Sequence, residues 1–234
     1  MSQFAFKQFS VTQHHAAMKV STDGILLGAW VPLAKAKRIV DVGTGTGLIA
    51  LMCKQRSPMS TVHAVEIDDD ALKDAEFNIK HSPWPDIELH RCAIQEFDSE
   101  LRFDLMVSNP PYFNASLKGE NQARNRARHT DSLSFDALLD AFEKFTTDAG
   151  QLAVILPYQE SLLFCQLAKA RNWFLVSSCA IKTTPSKSYS RRLLLIGKQS
   201  IAQPRHEQSL VIYDVDNQYT NDFVSLCHEF YLKM

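Results

Sequence analysis

From residue 38 onward, short apolar runs rich in β-branched residues alternate with longer stretches whose apolar positions recur at helical spacing. The runs 38–42 (RIVDV), 61–67 (TVHAVEI), 86–92 (DIELHRC), 102–108 (RFDLMVS) and 150–157 (GQLAVILP) predict strands. Between them, 47–56, 69–82, 134–146 and 159–171 predict helices. The second of these starts on acidic residues that suit a positive helix end, and the third has Ser134 as its N-cap. Such alternation predicts a parallel sheet covered by helices on both faces, with ligands bound beyond the carboxyl ends of its strands. After residue 172 the pattern changes. The runs 173–182, 191–198 and 209–215 follow one another without a long helix, which predicts an antiparallel pair at one edge, and 221–234 predicts a closing helix. Neither an internal repeat nor a dividing linker is visible, so residues 1–234 are expected to form one domain. Its parts would be an N-terminal extension (1–38), a core (39–172) and an edge with its last helix (173–234).

Composition changes this picture little. A length of 234 residues with 45% hydrophobic side chains supports one substantial core. No run of 18 uncharged apolar residues occurs and the N-terminus lacks a signal-like apolar stretch, so a cytoplasmic protein without a membrane partner is expected. The five cysteines match neither a metal nor a disulfide spacing and read as reduced core residues. His14 and His15 have no companion at metal spacing, so no metal is expected.

Charge is more informative in its distribution than in its sum. The net charge is −1, yet residues 1–38 carry +4, 118–129 carry +3 and 182–192 carry +4. Segregated basic segments are what a polyanion needs; solvated loops that merely look basic are the lesser alternative.

Two stretches carry chemistry. Asp41 to Gly47 (DVGTGTG) joins the first core strand to its helix, and glycines there let a backbone approach a ligand closely. The third glycine of a dinucleotide loop is missing, since that position is Leu48. Glu66 stands at the end of the next strand, where a carboxylate can take ribose hydroxyls. The second stretch is 108–113 (SNPPYF), a stiff, aromatic turn at the end of a buried strand.

The spacing DxGxGxG with Glu66 resembles the S-adenosylmethionine loop of class I methyltransferases. That resemblance implies a doubly wound, Rossmann-like, mostly parallel seven-stranded sheet with an antiparallel edge pair. It also implies S-adenosylmethionine as cofactor, with Asp41 helping to hold its methionine amino end, Gly43 and Gly45 approaching it, and Glu66 on its ribose. Many relatives carry an Asp after the third strand for the adenine amine; here Ala93 stands there, which leaves backbone groups around Ala93 and Ile94. The turn Ser21 to Gly24, including Thr22, resembles one that closes over the methionine end, and reads equally well as a helix N-cap.

Asn109 to Tyr112 resembles the N/D-P-P-Y/F/W motif of methyltransferases acting on amines attached to planar systems. The resemblance makes Asn109 Oδ1 and the Pro110 carbonyl acceptors for the amine, with Tyr112 stacked on the base and Phe113 beside it; Asn109 also borders the cofactor. The basic segment after the motif, with Arg124, Arg126 and Arg128, reads as a lid that orders on phosphate, and His129 within it as a surface or capping residue. Lys187 and Arg191 flank Tyr189 in a second basic loop. Nearly the whole chain resembles the bacterial tRNA(valine) adenine-N6 methyltransferases, carried by MKVSTDGILLGAW, DVGTGTGLIALM, VEID, SNPPYF, ARHTDSLSF and FYLKM. This implies tRNA as partner and the adenine 3′ of the anticodon as target. Two alternatives stand beside it: a methyltransferase of protein glutamine or ribosomal guanine, and a non-catalytic RNA-binding module. The oligomeric state is not legible; a monomer is the default.

Overall fold

The computed structural model describes residues 3–111, 133–200 and 207–234. Its centre is an eight-stranded sheet built from β3 (Arg38–Val42), β4 (Thr61–Glu66), β5 (Glu88–Arg91), β6 (Phe103–Ser108), β7 (Thr146–Pro157), β8 (Phe174–Lys182), β9 (Arg191–Gly197) and β10 (Gln208–Val211). Their order is β10-β8-β9-β7-β6-β3-β4-β5. The chain runs outward from β3 through β4 to β5, then returns to place β6 on the other side of β3, all in parallel. This reversal leaves a crevice beyond the carboxyl ends of β3 and β6.

Helices α2 (Leu48–Arg56), α3 (Asp69–Lys80), α4 (Phe135–Phe145) and α5 (Tyr158–Ala170) connect the strands. Their starts follow local chemistry. Asp68 Oδ1 accepts from the Ala71 amide at 2.7 Å to cap α3, and Ser134 Oγ accepts from the Ala137 amide at 3.1 Å to cap α4. One face of the sheet is covered by α2 together with α1 (Thr22–Trp30) and α6 (Asn221–Cys227). The other is covered by α4 and α5 around Phe103, Phe142 and Phe164.

Two details differ from expectation. The sheet has eight strands rather than seven, because β10 adds to β8 in parallel register. The expected antiparallel pair, β8 and β9, is present on that side of the sheet, with β9 between β7 and β8 and β10 outside it. Side-chain burial explains the order: Leu193 to Ile196 of β9 are all buried, which suits a strand covered on both faces, whereas Gln208 and Ser209 of β10 are exposed and suit an edge. The closing helix stops at Cys227, because Tyr231 bridges to Phe6 and the Lys7 amide donates to the Phe230 carbonyl at 2.9 Å.

Those last contacts belong to an antiparallel hairpin, β1 (Gln3–Ala5) and β2 (Ser10–Thr12), which brings the two ends of the described chain together. Residues of the N-terminal segment also pack into the core. Ile25, Leu26 and Leu27 of α1 are fully buried against α2.

No described helix is long and apolar enough to cross a membrane. All five cysteines are free.

Candidate active site

A cavity of about 720 Å³ lies over the carboxyl ends of β3 to β6. Each strand end contributes to it in turn: Gly43 and Gly45, then Glu66 to Asp68, then Cys92 to Glu96, then Asn109 and Pro111. Its size is that of a pocket enclosing a nucleoside-sized ligand.

The loop after β3 is shaped by positive φ at Gly43 (69°), Gly45 (58°) and Gly47 (82°). A Cβ added at Gly43 or Gly45 would meet nothing within 4 Å, so both glycines present bare backbone to open space in the cavity. Glu66 holds this loop. Its Oε2 accepts from the Gly45 amide at 2.8 Å, and Oε1 accepts from the Ile67 and Asp68 amides at 2.9 Å each. A carboxylate has about four acceptor positions, so Glu66 keeps roughly one for a ligand hydroxyl in this arrangement.

Asn109 is set in register with that loop by its neighbour. Ser108, fully buried, donates from Oγ to the Val42 carbonyl at 2.7 Å. Val42 immediately precedes Gly43, so one hydrogen bond fixes the two loops to each other. Its sequence signal, a lone Ser at the end of an apolar run, is too common to have singled it out.

The structure brings six expected residues to the cavity wall: Gly43, Gly45, Glu66, Ala93, Ile94 and Asn109. Pro110 is buried and does not line it, whereas exposed Pro111 does. Thr22 is exposed at the first turn of α1 and does not line this cavity; Ser21 Oγ caps that helix by accepting from the Gly24 amide at 3.4 Å, the second of the two readings of this turn. Ala16, Ala17 and Met18, which precede that turn, line the cavity. Arg191 is placed differently from a free phosphate contact: its Nε donates to Asp23 Oδ2 at 2.7 Å, pinning β9 to α1. Lys187 is exposed in the loop between β8 and β9. Tyr112, Phe113, Arg124, Arg126, Arg128 and His129 lie outside the described residues.

Asp41 stands behind the glycine loop. It is 0% exposed and does not line the cavity. Its Oδ2 accepts from the Thr44 hydroxyl at 2.5 Å and the Ala50 amide at 3.1 Å, so it fastens the loop to α2 from within. Burial pushes its pKa from 3.8 to about 7; the Thr44 and Ala50 hydrogen bonds oppose that and the charge of Glu66 adds to it. The unfolded carboxyl ionises near 3.8 while the folded one keeps its proton to about 7, so this group withdraws stability as pH rises across that window. Asp41→Asn, which cannot ionise, should therefore gain melting temperature relative to the unaltered protein as pH goes from 5 to 8. A difference that stays constant over that range would show that Asp41 is ionised throughout.

Among the described residues, one group brings metal-type donors together: His63, Glu88 and His90, on neighbouring strands β4 and β5. His63 Nδ1 and His90 Nε2 lie 3.0 Å apart. One donates to the other, so these two facing nitrogens cannot both ligate an ion without breaking that bond.

A doubly wound sheet with one reversed strand, a glycine loop and an acidic residue at the next strand end make up the class I methyltransferase fold. The comparisons agree. The structure resembles a predicted O-methyltransferase from Agrobacterium tumefaciens at TM-score 0.70, with 18% identity over 89% of this chain and 96% of the other. It also resembles the ribosomal protein L11 methylase of Lactobacillus delbrueckii subsp. bulgaricus at TM-score 0.55, with 19% identity over 76% and 77%. Residues 16–128 match the family model described as Methyltransferase small domain. A tRNA1(Val) (adenine(37)-N6)-methyltransferase from Pseudoalteromonas translucida (strain TAC 125) is 52% identical over 100% of both chains. One from Tolumonas auensis (strain DSM 9187 / NBRC 110442 / TA 4) is 43% identical over 99% of this chain and 97% of its own. The chain belongs to the tRNA1(Val) (adenine(37)-N6)-methyltransferase family.

The residues present fit the cofactor of that class: two bare glycines, a carboxylate with acceptor capacity, and a cavity of suitable volume.

Proposed function

We propose that this protein transfers the methyl group of S-adenosylmethionine to the N6 amine of adenine 37 in tRNA1(Val). One observation carries the reading: Asn109 lines the same cavity as Gly43, Gly45 and Glu66. A substrate amine at the end of β6 and a cofactor along the ends of β3 and β4 would then share one enclosure.

An exocyclic amine on adenine delocalises its lone pair into the ring and is a poor nucleophile. Asn109 Oδ1 would accept one of its N–H bonds and the backbone carbonyl that joins buried Pro110 to cavity-lining Pro111 the other, favouring a pyramidal nitrogen held in place by the stiff proline backbone. S-adenosylmethionine supplies an electrophilic methyl group when bound. The nitrogen loses its proton readily once methylated, so the chain needs no strong base. A loop base is already unpaired, which lowers the cost of flipping it into the cavity.

The loop between β8 and β9 supports an RNA partner. Because β9 runs antiparallel to β7, this loop opens at the same end of the sheet as Asn109. It exposes Lys187 and Tyr189; Tyr189 stacks on Tyr158 at 5.4 Å, with Lys182 Nζ 4.8 Å from its centroid.

The direct test incubates the protein with isotopically labelled S-adenosylmethionine and tRNA1(Val), followed by mass spectrometry of the nucleosides. Label in N6-methyladenosine, lost when position 37 is changed to guanine, is the expected result. Label in another nucleoside, or none, refutes the assignment.

Replacing Arg124, Arg126 and Arg128 together should weaken tRNA binding and leave cofactor affinity unchanged. If each contacts one phosphate, the log–log salt slope flattens by roughly 0.7 per contact, about 2 in total. A normal slope in the triple variant would make that segment a solvated face only.

A further inference from the structure

Resting on the cofactor reading of this cavity, we infer that residues 13–20 form a built wall of the cofactor site, and that Asn78, Asp74 and Gln13 are positioning residues for it. The strap between β2 and α1 has no helix or strand of its own, yet Ala16, Ala17 and Met18 line the cavity. Backbone without secondary structure needs side-chain partners to hold one shape, and α3 supplies them.

Asn78 Oδ1 accepts from the Thr12 amide at 2.7 Å, and its Nδ2 donates to the Thr12 carbonyl at 2.8 Å and to the Thr46 carbonyl at 2.9 Å. Thr12 is where the strap begins, and Thr46 belongs to the glycine loop. A single side chain therefore ties two walls of the cavity to one helix. One turn earlier, Asp74 Oδ2 accepts from the consecutive amides of His15 and Ala16, at 2.9 and 2.8 Å. Gln13 Oε1 closes the far end by accepting from the Val20 amide at 2.7 Å.

Asp74 and Asn78 are each 2% exposed, on a face of α3 shared with buried Ala71, Ala75 and Ile79. Polar groups in such a setting are destabilising unless satisfied. Here what satisfies them is the backbone of the strap and the glycine loop. Packing of α3 on the sheet alone would be served by apolar side chains at both positions. Their polarity is explained by the need to hold the strap.

The test compares S-adenosylmethionine dissociation constants by calorimetry, well below each variant's melting temperature, with hydrogen exchange of residues 13–20. Asn78→Ala should raise the dissociation constant at least tenfold and speed exchange in the strap, while tRNA affinity stays within threefold. Thr146→Val serves as control: it removes a buried hydroxyl that donates to the Phe142 carbonyl beneath the opposite face. It should lower the melting temperature and leave cofactor affinity within twofold. Gln13→Ala removes the closing contact at partly buried sites, and is expected to weaken cofactor binding three- to tenfold; it decides the matter if Asn78→Ala does not fold. Cofactor affinity within twofold in the folded strap variants, or equal weakening in Thr146→Val for an equal loss of melting temperature, overturns the inference. Failure of the unaltered protein to bind S-adenosylmethionine would instead overturn the cofactor reading beneath it.

Discussion

Asn109→Ala is expected to abolish measurable methyl transfer while S-adenosylmethionine binds within several-fold of its original affinity. The side chain lines the cavity at the end of β6, beside a backbone that Ser108 locks to the end of β3. An alanine there removes the carbonyl oxygen proposed to hold one amine N–H, but none of the bonds that shape the glycine loop. Loss of one preorganised polar group at a reacting centre costs about 10²- to 10³-fold in rate. Asn109→Asp keeps an acceptor in the same place and should retain more activity than Asn109→Ala. Single-turnover rates with saturating cofactor and tRNA, alongside calorimetric titration of the cofactor, separate the two properties. Parallel loss of rate and cofactor affinity would place Asn109 in cofactor binding and refute its proposed contact with the amine.

Glu66→Ala should weaken S-adenosylmethionine binding by about 1–3 kcal/mol, the range for leaving a hydrogen-bonding group without its charged partner. Two causes combine. A ribose hydroxyl loses its acceptor, and the amides of Gly45, Ile67 and Asp68 lose theirs, so the loop itself becomes less ordered. Glu66→Gln, which keeps one acceptor oxygen, separates them: it should preserve more of the loop than of the ribose contact. Because three of about four acceptor positions on Glu66 are taken by backbone, the second ribose hydroxyl falls most naturally to Asp68, which also lines the cavity. A further loss of affinity in Asp68→Ala, measured at constant melting temperature, would support that division. Unchanged affinity in Glu66→Ala would remove it from the cofactor site altogether.

The site was legible where chemistry demands a local pattern. Gly43, Gly45 and Glu66 stand at fixed distances from strands whose apolar runs are unmistakable, and Asn109 follows directly on one. Asp41 and Thr22 show the limit. Asp41 opens the glycine motif and Thr22 lies in the turn before α1, and a sequence does not say whether such a polar group faces a ligand or the protein. Asp41 turns to Thr44 and Ala50. Arg191 likewise reads as a surface cation until Asp23, 168 positions away, comes within 2.7 Å.

Periodicity and turn chemistry, acting over a few residues, were enough to determine the alternating strands and helices, the glycine loop and the stiff turn after β6. Strand order beyond β7, the end of the last helix and the part of the cavity wall formed by Ala16 to Met18 depend on contacts between distant segments. β9 takes its interior place because Leu193 to Ile196 can be buried on both faces, and α6 stops where Tyr231 meets Phe6. The strap is held by Asp74 and Asn78, 58 and 66 positions further along. These contacts form only once the chain has closed on itself. Which buried polar group faces which backbone amide was therefore decided by the tertiary structure.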